Sequence, residues 1–260
     1  MKLGKPPIIQ AWVEFRFDHG DDRREWGFKD ASSYLDQYQD VYPEREVVVQ
    51  HQFQVEKVKK NQKPQIVDEK VHLRAVRAAN TEGNRFLQLS HDGIACNFLR
   101  TEKGYEGFTA LKAEALEKFR AYVEMFRPTR VLEFALHYVD LIVIPCDGQK
   151  TLNLGEYFTL GITLPDATFG SIQNFVVQYA AQPPDTEDRM AVRLQDERDP
   201  LGVNARFRMD WRLSGASSLS LSDSEIGTRL DQAHARLQDC FRKSFTDKTW
   251  QMFEPTPEVV

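Results

Sequence analysis

The sequence predicts an α+β fold in which two β-α-β(3–4)-α halves join into one wide, curved antiparallel sheet with helices on one face. Most of the apolar runs alternate with polar residues at a period of two, which is typical of strands with one buried face. Two long runs instead carry apolar residues at helical spacing. The order strand, short helix, several strands, long helix also occurs twice, in residues 1–128 and again in residues 129–260.

The first half begins with alternation over residues 8–17, which predicts a strand. A short helix is predicted over residues 31–42, where Pro43 stops it. A long amphipathic helix is predicted over residues 111–127, and it ends before a proline. Between the two helices, apolar alternation and an Asp-Gly hairpin signal at residues 92 and 93 predict four strands, at 46–56, 69–78, 85–90 and 94–100.

The second half begins with a long strand over residues 129–145, and we expect it to be central because both of its faces are apolar. A long helix is predicted from Asp223 to Phe245, with Ser222 and Glu225 at capping-box spacing, and the tail after it is expected to be loose. Between them the pattern predicts a short helix over residues 152–158 and then three strands, at 172–180, 190–196 and 203–213. In the last of these strands the residues expected to face inward are Val203, Ala205, Phe207, Met209, Trp211 and Leu213.

An antiparallel sheet with one apolar face needs a cover, and each half supplies one long amphipathic helix for it. Joining the halves edge to edge would give one continuous domain with a polar face opposite the helices. This arrangement resembles TBP-like duplicated folds, and helix-grip folds are a near neighbour. A likeness at the level of fold carries little information about function.

Composition excludes several classes of protein. Of the 260 residues, 41% are hydrophobic, so a sizeable core can be buried and disorder of the whole chain is excluded. The net charge of −5 argues against a general nucleic-acid coat and against a polybasic membrane anchor. Three distant cysteines form neither a disulfide framework nor a zinc spacing, and no stretch approaches 18 apolar residues. We therefore expect a cytoplasmic protein with no membrane partner.

Three stretches resemble an uncharacterised prokaryotic family described as sporadically distributed. The first is Pro6-Pro7-Ile8 followed by Ala11, Val13, Glu14, Arg16 and Phe17. The second is Phe126-Arg127-Pro128-Thr129, Leu136-His137-Tyr138-Val139-Asp140 and Ile144-Pro145. The third is Leu230-Asp231-Gln232-Ala233-His234 with Phe241, Phe245 and Thr246.

The resemblance implies a bacterial or archaeal protein of patchy occurrence, of a kind often carried in mobile or antiviral-defence loci. It supplies no established activity and no catalytic residues to carry over. In the second stretch the family pattern is closer to Arg-Tyr-hydrophobic-Asn, and here His137 and Asp140 stand in the Arg and Asn positions. No ligand role is therefore carried over to these two side chains.

Motifs for nucleophilic, nucleotide-binding and zinc-protease chemistry are absent from the sequence. Cys96 falls in a predicted hairpin strand, where a cysteine is more often an inert small hydrophobe than a nucleophile. The run Asp18-His19-Gly20-Asp21-Asp22 could hold a divalent cation, but a strand-ending turn is the favoured interpretation. We expect no catalytic residue, no cofactor and no metal.

Arginines mark the polar face of the predicted sheet. Arg206, Arg208 and Arg212 project from one side of a single strand, and Arg193, Arg74 and Arg16 lie on the polar sides of others. Such guanidinium groups could bind phosphates, carboxylates or the acidic surface of a partner protein. Glu14 and Asp210 share this polar side, and cross-strand Arg–carboxylate pairing is the ordinary way to solvate an open sheet face.

His234 lies on the last long helix in register with apolar residues. We expect it to be buried, with one ring nitrogen bonded to a carbonyl or carboxylate, so that it holds the helix to the sheet. Asp231 and Tyr138 are assigned structural roles with it.

These observations favour a non-catalytic recognition or accessory subunit that acts with a co-encoded effector, an ATPase or a nuclease, in prokaryotic antiviral defence. The alternative is an anionic-ligand or nucleic-acid binding protein that uses the arginine-lined face. A third hypothesis is an enzyme with scattered residues such as His72, His137 and Asp140, and it requires these groups to cluster in one pocket.

Overall fold

The computed structural model describes residues 2–20, 26–55, 66–146, 152–160, 175–197, 199, 203–219 and 221–256. The helices are α1 (Phe28–Leu35), α2 (Phe108–Phe126), α3 (Asp223–Lys243) and α4 (Asp247–Met252), with short 3-10 helices at Asp36–Tyr38 and Leu154–Glu156. The strands are β1 (Lys2–Leu3), β2 (Ile8–Asp18), β3 (Glu44–Val55), β4 (Ile66–Ala79), β5 (Arg85–Ser90), β6 (Gly93–Leu99), β7 (Arg130–Pro145), β8 (Val176–Ala181), β9 (Arg189–Glu197), β10 (Asn204–Leu219) and β11 (Pro255–Thr256).

Within these described ranges, nine strands form one antiparallel sheet in the order β3-β4-β5-β6-β2-β7-β10-β9-β8. We call it the main sheet. β1 and β11 pair separately. The α+β class with one large antiparallel sheet is therefore confirmed. β7 lies inside the sheet between β2 and β10, as its two apolar faces predict.

The two portions of the chain meet at the middle of the main sheet, where β2 pairs with β7. Each of these strands pairs on its other side with the last main-sheet strand of its own portion, β2 with β6 and β7 with β10. From there the order runs outward through β5, β4 and β3 in one portion and through β9 and β8 in the other. Residues 1–128 and 129–260 thus share one hydrogen-bonded sheet.

The core lies on one side of the main sheet, under the helices. The alternation of β2 buries Ala11, Val13, Phe15 and Phe17 there. Phe119 of α2 lies 4.9 Å from Phe15 between ring centroids, and α3 covers β7 and β10 in the same way. We call this side the helix side and the opposite side the open face. Burial of large side chains against both long helices supplies the main driving force for this arrangement.

Several local expectations were wrong. The capping box is not formed, because Ser222 makes no capping hydrogen bond and its hydroxyl instead lies 2.9 Å from the hydroxyl of Ser224. Val203 was expected to face inward but is 57% exposed, and it lies one residue before β10 begins. Pro255–Thr256, in the tail expected to be loose, pairs with β1. Residues 172–174 of a predicted strand lie outside the described residues.

The short helix α4 was not predicted. Thr246 caps it by accepting a hydrogen bond from the backbone N–H of Thr249, and Asp247 lies in its first turn. A Thr-Asp pair of this kind is a helix-start signal. Along the described parts of the chain, no helix is long and apolar enough to cross a membrane.

Candidate functional site

The open face is centred on three neighbouring strands. Residues directly opposite each other in an antiparallel pair share a face. The register places Trp12 of β2 opposite His137 of β7, and His137 opposite Arg212 of β10. These three side chains therefore form one row across the middle of the open face.

The β10 arginines are on the open face, on the side opposite the buried residues of the same strand. The Arg212 guanidinium lies 2.6 Å from a Glu133 carboxylate oxygen on β7. The Arg208 guanidinium lies 2.8 Å from Asp210 on its own strand. The Arg206 guanidinium lies 4.0 Å from Glu197 on β9, so each of the three arginines has a carboxylate nearby.

Two of the other predicted arginines, Arg16 and Arg193, also lie on the open face. Arg16 on β2 lies 3.2 Å from Asp92 and 4.0 Å from Glu133, so it belongs to the same charged network as Arg212. Arg193 on β9 is exposed and lies opposite Asp210 in the register.

Arg74 is separated from the other five arginines. The register of β3 against β4 shifts at Val48 and Val49, which lie opposite Ala75 and Leu73. Arg74 is the extra residue of this β-bulge and is exposed. β4 is the second strand from one edge of the main sheet, so the structure does not bring Arg74 into the network around Arg212.

Trp12 and His137 stack at the centre of the open face, with ring centroids 4.1 Å apart and an angle of 9° between the planes. Burial lowers the pKa of His137 to about 3, and the nearby Arg212 charge acts in the same direction, so the ring is neutral at pH 7. Burial also raises the pKa of Glu14, which lies 4.0 Å from His137. An aromatic residue at a polar position of β2 was the available sequence signal for this stack.

A cavity of about 460 Å³ opens on the same face beside Trp12. β6 lines this cavity with the small residues Gly93 and Ala95, and β4 and β5 line it with Arg77 and Phe86. At residue 93 a Cβ atom would lie 2.7 Å from the backbone oxygen of Phe15, so the close approach of β2 requires glycine there.

The predicted structural residues lie on the helix side. A hydrogen bond of 2.8 Å joins the Tyr138 hydroxyl on β7 to Nδ1 of His234 on α3, whereas the expected partner was a carbonyl or carboxylate. Asp231 accepts a hydrogen bond of 2.7 Å from Lys112 and so joins α3 to α2. His234 and Asp231 therefore connect α3 to two different elements.

The enzyme hypothesis requires His137 and Asp140 to share a pocket. The structure places them on opposite faces of β7, because His137 stacks on Trp12 whereas Asp140 accepts a hydrogen bond from Trp211 on the helix side. The side chain of His72 lies outside the described residues. This pair does not form the cluster that the hypothesis needs.

The candidate cation site at the end of β2 has turn geometry. Asp18 accepts a hydrogen bond of 2.9 Å from the backbone N–H of Gly20, whose φ is +63°, and its second oxygen bonds Arg130 at 3.0 Å. Asp21 and Asp22 lie outside the described residues. Cys96 is buried, and burial raises the pKa of its thiol to about 12.

No family model matches the chain, and no curated protein is significantly similar to it. The function is therefore inferred from the geometry described above, together with the resemblance of the three sequence stretches.

Proposed function

We propose that the protein is a non-catalytic recognition subunit that binds a partner protein through the open face of the main sheet. The observation that carries this proposal is the matching of charges on that face. Arg16, Arg206, Arg208 and Arg212 each have a carboxylate within 4.0 Å, and Arg77 lies 3.5 Å from Glu46. A mosaic of both signs suits a protein surface of complementary mosaic charge better than it suits a uniform polyanion.

Polar atoms without hydrogen-bond partners add to this argument. Among the described residues, Asn97 Oδ1, Arg206 Nε and Arg212 Nε on the open face are buried and make no hydrogen bond. Leaving such atoms unpaired costs free energy. Rearrangement of these side chains against a partner would restore the missing hydrogen bonds and so favour the complex.

The arrangement of the strands supports a TBP-like duplicated fold for this subunit. In both portions the first strand of the main sheet, β2 or β7, pairs with the last, β6 or β10, and the remaining strands follow outward in reverse chain order. In both portions a long helix, α2 or α3, follows the last strand and covers the same side of the sheet. A duplication would leave a single broad face that one partner can contact across both halves.

The biological setting is part of the proposal. The resemblance to a sporadically distributed prokaryotic family supports a role in antiviral defence, with a co-encoded ATPase or nuclease as the partner. The open face would then hold the effector, while the chemistry would belong to the effector.

Co-purification with the products of the neighbouring genes tests the proposal. Arg16→Glu with Arg193→Glu changes both halves of the open face and should reduce the co-purified effector by about tenfold or more. Lys29→Glu with Arg120→Glu changes the charge equally on exposed helix residues and should leave the effector bound. A wild-type chain that elutes alone with every neighbour expressed would contradict the proposal.

Binding of an anionic ligand or a nucleic acid by the arginines remains the alternative function. It requires the ligand to displace the carboxylates now paired with Arg208 and Arg212. Titration with single-stranded and double-stranded nucleic acid at two salt concentrations distinguishes it, because phosphate contacts give a steep salt dependence. Changing Arg206, Arg208 and Arg212 to Glu should then abolish that binding.

A further inference from the structure

A second cavity, of about 670 Å³, lies on the helix side, away from the open face. It is bounded by β7 and β10 below, by α3 and α4 on one side, and by the N-terminal segment before β2 on the other. We call it the aromatic cleft, because six aromatic side chains line it: Tyr105, Phe108, Tyr138, Trp211, Phe241 and Trp250.

One carboxyl group lies at the bottom of the aromatic cleft. Asp140 is 5% exposed, and it accepts a hydrogen bond of 2.9 Å from the indole N–H of Trp211. Among the described residues, Asp140 forms no salt bridge, and no lysine, arginine or histidine charge acts on it. Burial raises the pKa of Asp140 to about 7, and the charge of Asp210 acts in the same direction. This carboxyl group is thus buried without a countercharge.

The other polar groups of the cleft supply no countercharge either. His234 stacks on Phe108 with ring centroids 3.9 Å apart, and burial lowers its pKa to about 4, so it is neutral at pH 7. The Tyr105 hydroxyl is buried and has no hydrogen-bond partner among the described residues. At the rim, Asp231 is paired with Lys112, and Arg242 is exposed.

We propose that the aromatic cleft binds an organic ammonium ion with an apolar body. The ammonium group would pair with Asp140, and the body would lie against the surrounding rings. Ring faces attract cations, and they do so more strongly when the cation is shielded from water. The bound ammonium group would also supply the countercharge that Asp140 lacks, and a buried charge is favourable only when it is paired. This site is independent of the open face.

Titration of the full chain with three related probes tests the charge preference. The readouts are calorimetry and tryptophan fluorescence, to which Trp211 and Trp250 of the cleft contribute. Phenethylammonium should bind at least about tenfold more tightly than the neutral 2-phenylethanol, and 3-phenylpropionate should bind more weakly than both. Equal affinity for the ammonium and the alcohol, or preference for the anion, overturns the proposal. Absence of saturable phenethylammonium binding up to about 10 mM also overturns it.

Asp140→Asn keeps the shape of the side chain and removes its charge. The variant should lose about tenfold or more in phenethylammonium affinity and keep its affinity for 2-phenylethanol. Asp40→Asn is the matched control, because Asp40 is exposed and does not line the aromatic cleft. It should leave phenethylammonium binding unchanged. Equal loss in both variants, or no loss in Asp140→Asn, contradicts the assignment.

A measurement on the wild-type chain covers the case in which Asp140→Asn does not fold. At pH 7 a cation that binds beside a partly protonated Asp140 should expel its proton, which calorimetry detects in two buffers of different ionisation enthalpy. Binding without proton release at every pH between about 5 and 8 contradicts the proposal. The titratable or charged groups that face the cleft besides Asp140 are Tyr105, Tyr138, Asp231, His234 and Arg242.

Discussion

The two faces of β7 differ in whether their acidic side chains are paired with a positive charge. On the open face, Glu133 lies beside two arginines, and the residues of this network are partly exposed to water. On the helix side, Asp140 is 5% exposed and has a single indole N–H as its hydrogen-bond donor. One strand therefore carries a compensated charge network on one side and an uncompensated acid on the other.

This difference distinguishes a surface suited to protein contacts from a site suited to a small ligand. Paired charges at a wet surface contribute little to stability and impose little cost, so they are suited to contact with another protein. A buried carboxyl group without a countercharge carries a desolvation cost, and such groups concentrate at functional sites. The aromatic cleft is accordingly the better place to look for a small ligand, and the open face is the better place to look for a macromolecule.

Truncation of the tryptophans on the two faces gives the largest expected contrast. Trp211→Ala should cost about 3–5 kcal/mol of unfolding free energy, because Trp211 is 2% exposed and its loss leaves a cavity and an Asp140 without its donor. Trp12→Ala should cost about 1–2 kcal/mol, because the ring is only partly buried and loses its stack on His137. Urea denaturation measures the unfolding free energy of both variants. Equal losses would contradict the difference in burial between the two tryptophans.

The contributions of Asp140 and His137 to the pH dependence of stability should have opposite signs. The pKa of Asp140 is raised to about 7, so the folded state holds a proton that the unfolded state has lost, and this contribution to stability falls as pH rises from about 4 to 7. The stability of Asp140→Asn relative to wild type should therefore increase with pH over that window, by at most about 1.4 kcal/mol per pH unit.

For His137 on the open face the sign reverses. The pKa of His137 is lowered to about 3, so the unfolded state binds the proton first, and stability falls as pH drops from about 6.5 towards 3. His137→Gln should therefore gain stability relative to wild type as pH decreases. Denaturation curves at pH values of about 4.5, 6 and 7.5 measure the stability of both variants relative to wild type. Relative stabilities that change with pH in the same direction would contradict the opposite pKa shifts of Asp140 and His137.

The smallest expected effect is the coupling between Arg212 and Glu133. These side chains are 43% and 26% exposed, so a double-mutant cycle with Arg212→Ala and Glu133→Ala should give at most about 1 kcal/mol, reduced by salt. A cycle with Tyr138→Phe and His234→Ala on the helix side should give a coupling of similar size, about 1 kcal/mol, that salt leaves unchanged. A salt-insensitive Arg212–Glu133 coupling would show that this pair is buried more deeply than the structure indicates.

Alternation predicted the two faces of β2 and β10 because each strand buries one side only. Phe15 and Trp211 are buried while Arg16 and Arg212 lie on the open face, as a period of two requires. The alternation stopped being informative at strand ends, where Val203 is exposed although it continues the apolar pattern. Burial there depends on whether a helix covers the position, which a local pattern does not encode.

The groups of the aromatic cleft come from distant parts of the chain. Asp140 occurs in a strand that was correctly predicted, but Tyr105, His234 and Trp250 reach the cleft from a loop, from α3 and from the unpredicted α4. Nothing in the spacing of these residues marks them as neighbours. On the open face, by contrast, Trp12 and the arginines of β2 and β10 carried a local signal, because alternation places them on the polar side of their strands.

The sequence by itself determined the α+β class, most of the strands and long helices, and which side of β2 and of β10 is buried. These properties depend on periodicity within a few residues, which the polypeptide geometry enforces locally. The tertiary structure alone decided that β2 meets β7 at the middle of the sheet, that Trp12 stacks on His137, and that Asp140 lies without a countercharge among aromatic rings. Those outcomes depend on contacts between residues far apart in the chain, and the free energy that selects them comes from packing and desolvation of the whole fold.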